Sequence, residues 1–111
     1  MVILFSSRKQ ERIFCNAKEL RKTHGPRQGD QIRKRLDELN AATTLSDLRN
    51  LTQANAHERH GYRGQIFLNL NQPYRLVIEA INDPFPTKPD GGLDWDKVDR
   101  VKIVEIMDPH E

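Results

Sequence analysis

A single cysteine, Cys15, is all the chain contains, which excludes an internal disulfide and any metal site built from several thiolates. No apolar run approaches the ~18 residues a membrane-spanning helix needs. The N-terminal MVILF is followed by SSRKQER rather than by the core and cleavage site of a secretory leader, so a cytoplasmic protein without membrane attachment is expected. A glycine-rich phosphate loop, a dinucleotide fingerprint and a serine nucleophile elbow are all missing, as are internal repeats. Hydrophobic residues make up only 36% of the chain and charged residues 31%, against a usual apolar share of ~45–50%. A modest core under a heavily charged surface follows. At 111 residues the chain suits one domain, residues 1–111, around one core.

The net charge of +2 hides an asymmetry. Residues 1–35 carry ten Lys/Arg against three acids, a balance of +7, and the remainder carries eight against thirteen, a balance of −5. Such a basic segment suits nucleic acid or an acidic partner, the alternative being a solvated helix face.

Periodicity orders the elements. Val2 to Phe5 is a β-prone edge strand. Ser7 with Gln10 makes a capping box for a helix running to about Lys22, with Ile13, Phe14, Ala17 and Leu20 as its buried stripe and Cys15 as a small packing residue within it. His24, Gly25 and Pro26 stop that helix. A second helix is expected from about Asp30 to Ala42, with Ile32, Leu36 and Leu39 inward and Arg33, Lys34 and Arg35 fanning across the opposite face. Thr44 and Asp47 cap a short helical turn carrying Leu45, Leu48 and Leu51. From residue 64 the period changes to two: Gln65–Leu70 and Tyr74–Ile81 read as an antiparallel hairpin. Asn82–Trp95, with its prolines and glycines, reads as an irregular loop, and Val101–Ile106 as a last strand ended by Asp108 and Pro109. The fold class is α+β, in the order β-α-α-β-β-β, with two N-terminal helices packed on a small, mainly antiparallel sheet.

Arg75 lies within an apolar strand, where alternation places it on one face with Val77 and Glu79. A guanidinium held on a rigid sheet suits bidentate capture of phosphate oxygens; the alternative reading pairs it with Glu79 or Glu105. His57 and His60 precede the hairpin and His110 follows the last strand, so strand ends bring histidines that can exchange protons near neutral pH toward a strand arginine. The spacing of His57 and His60, with no third ligand at a regular offset, does not suit a metal site. No cofactor is implied.

The segment HERHGYRGQIFLNLNQPYRLVIEAINDPFPTKPDGGLDWDKVDRVKIVEIMDPHE, with the preceding ATTLSDLRNL, resembles the C-terminal half of the HigB-type toxins of the RelE/ParE superfamily, which include plasmid maintenance system killer proteins. The resemblance covers about residues 43–110; the basic helical hairpin before it is similar in layout. It implies a RelE-like fold and the toxin of a type II toxin–antitoxin pair, held by a helix-turn-helix, HigA-like antitoxin, that enters the ribosome and cuts messenger RNA without a metal. Arg75 matches the arginine of the family's YRL or WRV strand, and His57 an active-site histidine. Asp108 and His110 match a terminal Asp-Tyr-His motif in which Pro109 replaces the tyrosine. Arg59 and Arg63 match a basic stretch that grips the RNA backbone, beside Tyr62 or Trp95 as a stacking ring; a buried Trp95 anchoring the long loop is the alternative. Arg33, Lys34 and Arg35 complete the expected ribosome-facing set. Two other functions fit the same chain: a non-catalytic toxin that inhibits another target such as DNA gyrase, and an RNA-binding regulatory module.

Overall fold

Ser7 and Asn16 each cap a helix. The computed structural model describes residues 1–110. Strand β1 (Val2–Phe5) leads into α1 (Arg8–Phe14), with the Ser7 side chain accepting from the Gln10 amide. The expected single helix to Lys22 is in fact two. Asn16 leaves helical geometry, accepts from the amides of Lys18 and Glu19, and opens α2 (Ala17–His24), a cap of the kind that contributes about 1 kcal/mol. Cys15 falls in the break and is exposed, not packed as expected. Gly25, at φ 85°, reverses the chain directly into α3 (Pro26–Ala41), so α3 starts a turn earlier than Asp30, with Pro26 at a position where its missing N–H costs nothing. Gly29 makes this hairpin tight: a Cβ there would lie 2.9 Å from the Arg21 Cα. The helical layer therefore has three α-helices rather than two. Thr44 and Asp47 close the anticipated capping box on a 3-10 helix, Leu45–Asn50.

The sheet has five strands: β1, β2 (His57–Glu58), β3 (Gln65–Asn69), β4 (Arg75–Ala80) and β5 (Arg100–Met107), in the spatial order β1-β5-β4-β3-β2. β1 runs parallel to β5 and every other pair is antiparallel. β2 was not expected; it adds an edge beside β3 through His57 opposite Phe67. Val77 faces Glu105 while Ile78 faces Ile103, which leaves Val104 as an extra residue in β5, a β-bulge. The loop after β4 is irregular apart from a bridge between Thr87 and Leu93, and it ends in a 3-10 turn, Trp95–Lys97.

One face of the sheet carries Ile66, Leu68, Leu76, Ile78, Val101 and Ile103, all at most 1% exposed, and joins Leu20, Ile32, Leu36, Leu39, Leu45 and Leu48 in the core. Each such side chain contributes about 1.5–3 kcal/mol by leaving water. Trp95 is buried in the same cluster, as its anchoring reading required. The other face is the phase holding Gln65, Phe67, Asn69, Arg75 and Glu79, which are only partly buried. Among the described residues no helix is long and apolar enough to cross a membrane.

Candidate functional site

The outer face of the sheet collects cationic and aromatic side chains around Phe67. β3 places Phe67 between His57 on β2 and Val77 on β4, and two residues along β4 stands Arg75, on the same face. The His57 ring lies 5.5 Å from the Phe67 ring, tilted by 54°. The Arg75 guanidinium sits 5.0 Å from the centre of that ring, and the Arg59 guanidinium 5.6 Å from it. Such contacts hold a planar cation over an aromatic face without neutralising it. Arg75 Nη1 then lies 3.4 Å from His57 Nε2.

The alternative pairing of Arg75 with Glu79 or Glu105 does not occur. Glu79 is engaged by Lys102 at 3.7 Å and by the Gln65 amide at 3.2 Å, and among the described residues no carboxylate lies within ion-pair distance of Arg75. Its positive charge is therefore available to an anion on the open face.

The loop between β2 and β3 supplies a second wall. Arg59 Nη1 donates to Gln65 Oε1 at 2.9 Å while its guanidinium stacks 3.6 Å from the centre of the Tyr62 ring. Tyr62 is half exposed, at 52%, and Arg63 is braced 4.2 Å from the Phe85 ring. Arg59, His60, Tyr62 and Arg63, together with Glu58, line an open pocket of about 460 Å³. The contacts thus join His57, Arg59, Tyr62 and Arg75 of the expected set through Phe67, while Arg63 meets Arg59 only in the lining of the loop pocket.

Asp108 and His110 are placed differently. β5 ends at Met107, opposite Arg75, so both residues leave the sheet at the Arg75 end. Asp108 Oδ1 accepts from the His110 backbone N–H at 2.9 Å, and neither side chain hydrogen-bonds to Arg75 or His57. His110 is exposed.

The expected basic fan on α3 needs correction. Arg33 and Lys34 are exposed, with Lys34 donating to Gln53 Oε1, but Arg35 is 2% exposed. Its Nε donates to the Asn69 carbonyl at 2.7 Å and its Nη1 to Glu38 at 2.7 Å. A buried guanidinium survives only with such partners, so Arg35 fastens α3 to the end of β3 and faces no external phosphate.

Phe67 was not anticipated as part of a site. Its signal was present: it is an aromatic residue on the polar phase of a strand whose apolar phase is Ile66 and Leu68. Among the described residues, no group of three or more His, Cys, Asp and Glu is arranged to hold a metal ion. Comparison of the chain with protein-family models, characterised proteins and solved structures finds no match.

Proposed function

We propose that this chain is a ribosome-dependent mRNA endonuclease with a RelE-like fold, the toxin partner of a type II toxin–antitoxin pair. The observation that carries the reading is Arg75, a guanidinium on a rigid strand, packed on Phe67, without a carboxylate partner among the described residues and in contact with His57. The resemblance over residues 43–110 adds the reaction type. In this reading the 2′-oxygen of the nucleotide before the scissile bond attacks phosphorus. The O2′–P bond forms and the P–O5′ bond breaks, leaving a 2′,3′-cyclic phosphate and a 5′-hydroxyl. Arg75 meets the charge that develops on the phosphate oxygens, where a preorganised donor stabilises the transition state more than the ground state. A histidine takes the 2′-proton, and His110 or water returns one to O5′.

Arg59 and Arg63 hold the flanking phosphates, Tyr62 stacks on a base, and Arg33 and Lys34 meet ribosomal RNA from the helical layer. A helix-turn-helix, HigA-like antitoxin encoded beside the toxin gene would hold it in check in the cytoplasm.

The test is single-turnover cleavage of ribosome-bound message by wild type and Arg75→Ala. A loss of about 100-fold or more, with the circular dichroism unchanged, is expected for removal of a transition-state donor. A folded variant that cleaves normally removes Arg75 from the chemistry. A wild type that arrests growth yet cuts nothing points instead to a non-catalytic toxin with a target such as gyrase, and binding to RNA without either effect points to a regulatory module.

A further inference from the structure

Asn55 is the only non-glycine residue with a positive φ among those described, at 45°. Its side chain is exposed, so packing does not demand this conformation. The backbone around it is nonetheless pinned: its N–H donates to the Leu51 carbonyl at 3.2 Å, and the carbonyl of the buried Ala54 accepts from Asn69 at 2.8 Å. The left-handed turn, which asparagine tolerates better than most residues, presents the Asn55 carbonyl to the ring two residues on. His57 Nδ1 lies 2.7 Å from that oxygen.

A carbonyl oxygen can only accept. Nδ1 therefore carries the proton, and in the neutral ring Nε2 carries the lone pair. It is Nε2 that faces Arg75 Nη1, at 3.4 Å, a contact long enough for an entering hydroxyl to displace.

We infer that Asn55 is a positioning residue, whose left-handed carbonyl holds His57 in the Nδ1–H form so that Nε2 serves as the base for the 2′-hydroxyl. The inference rests on the cleavage reading above and deepens it by assigning the proton acceptor. The 2′-proton passes to Nε2 as the O2′–P bond forms. The P–O5′ bond breaks, O5′ takes a proton from water, and the hydroxide so formed takes the proton back from Nε2. Until then the imidazolium stands beside Arg75, and the two cations share the negative charge of the phosphorane. A hydrogen bond on the far ring nitrogen orients histidine in the same way at many metal sites.

The experiment compares wild type, Asn55→Val and Asn55→Gly. A β-branched side chain opposes positive φ, whereas glycine accepts it, so valine should turn the carbonyl away and glycine should restore it. Nitrogen-15 spectra of the neutral His57 ring give the tautomer directly, amide spectra confirm the fold, and single-turnover cleavage gives the rate. The wild type and Asn55→Gly should show a protonated Nδ1. Asn55→Val should lose that preference and cleave about 10-fold or more slowly. A wild-type ring protonated on Nε2, or an Asn55→Val variant unchanged in tautomer and rate, overturns the inference. If the wild type cuts no message, the cleavage reading fails by itself, and the tautomer contrast between valine and glycine still decides whether Asn55 sets the ring.

Discussion

Arg35 and Arg75 approach the same residue of β3 and meet opposite fates. Arg35 comes from α3 and ends on the Asn69 carbonyl and the Glu38 carboxylate. Arg75 is the β4 partner of Asn69, and its guanidinium lies over Phe67 with a histidine nitrogen for a neighbour. The first has its counter-charge built in, so its role is complete once the chain has folded. The second is supported by apolar contact that leaves its charge unspent. Whether an arginine fastens a fold or receives an anion is decided by what stands within about 4 Å of it, not by the strand or helix that carries it.

The comparison breaks most visibly on stability. Arg35→Met strands the Glu38 carboxylate and the Asn69 carbonyl, and urea unfolding should show a loss of about 3 kcal/mol, the lower end for a broken buried pair because Glu38 retains some water. Arg75→Ala should stay within about 0.5 kcal/mol of wild type. The reverse order would show that Arg75 is the structural residue of the two.

A smaller effect concerns the exposed neighbours of Arg35. Replacing Arg33 and Lys34 with Gln should shallow the salt dependence of ribosome binding by up to about two units of slope, one for each phosphate no longer neutralised. An unchanged slope would make α3 a solvated face.

The smallest effect is on pH. His24, in the last turn of α2 and edge-on to Phe14 at 6.1 Å, has its pKa lowered from 6.5 by burial. The unfolded chain therefore takes up the proton more readily than the folded one, so the contribution of neutral His24 is intact above pH 6.5 and is lost as the pH falls below it. Unfolding midpoints measured from about pH 7 down to about pH 5.5 should fall less for His24→Gln than for wild type; parallel curves would remove His24 as the source.

The hairpin of β3 and β4 was legible because period two is hard to mistake over five or six residues, and the Thr44–Asp47 cap because its chemistry is local. The break at Asn16 was not: Ile13, Phe14, Ala17 and Leu20 keep helical spacing across it, and only the asparagine followed by Glu19 marks a new start. β2 is two residues long and takes its conformation from β3. Arg35 was misread through its charge, although it stands three residues after Ile32 and four before Leu39, within the buried stripe. Arg75, His57 and the Arg59–Arg63 stretch were found as single candidates. Their meeting place was not, since Phe67 and the Asn55 turn come beside them only when three strands are laid side by side.

The extra residue in β5 has a consequence for how this chain can change length. On the regular side of Val104, Val101 and Ile103 face the helices; beyond it Ile106 does, while Glu105 and Met107 lie on the face of Arg75. Deleting Val104 would restore simple alternation and leave those sides as they are, with Ile103 and Ile106 still against the helices and Glu105 and Met107 still on the face of Arg75. In a regular ladder the loss of one residue sends every side chain beyond it to the opposite face, so the bulge is where β5 can shorten by one codon and keep the address of each position that follows.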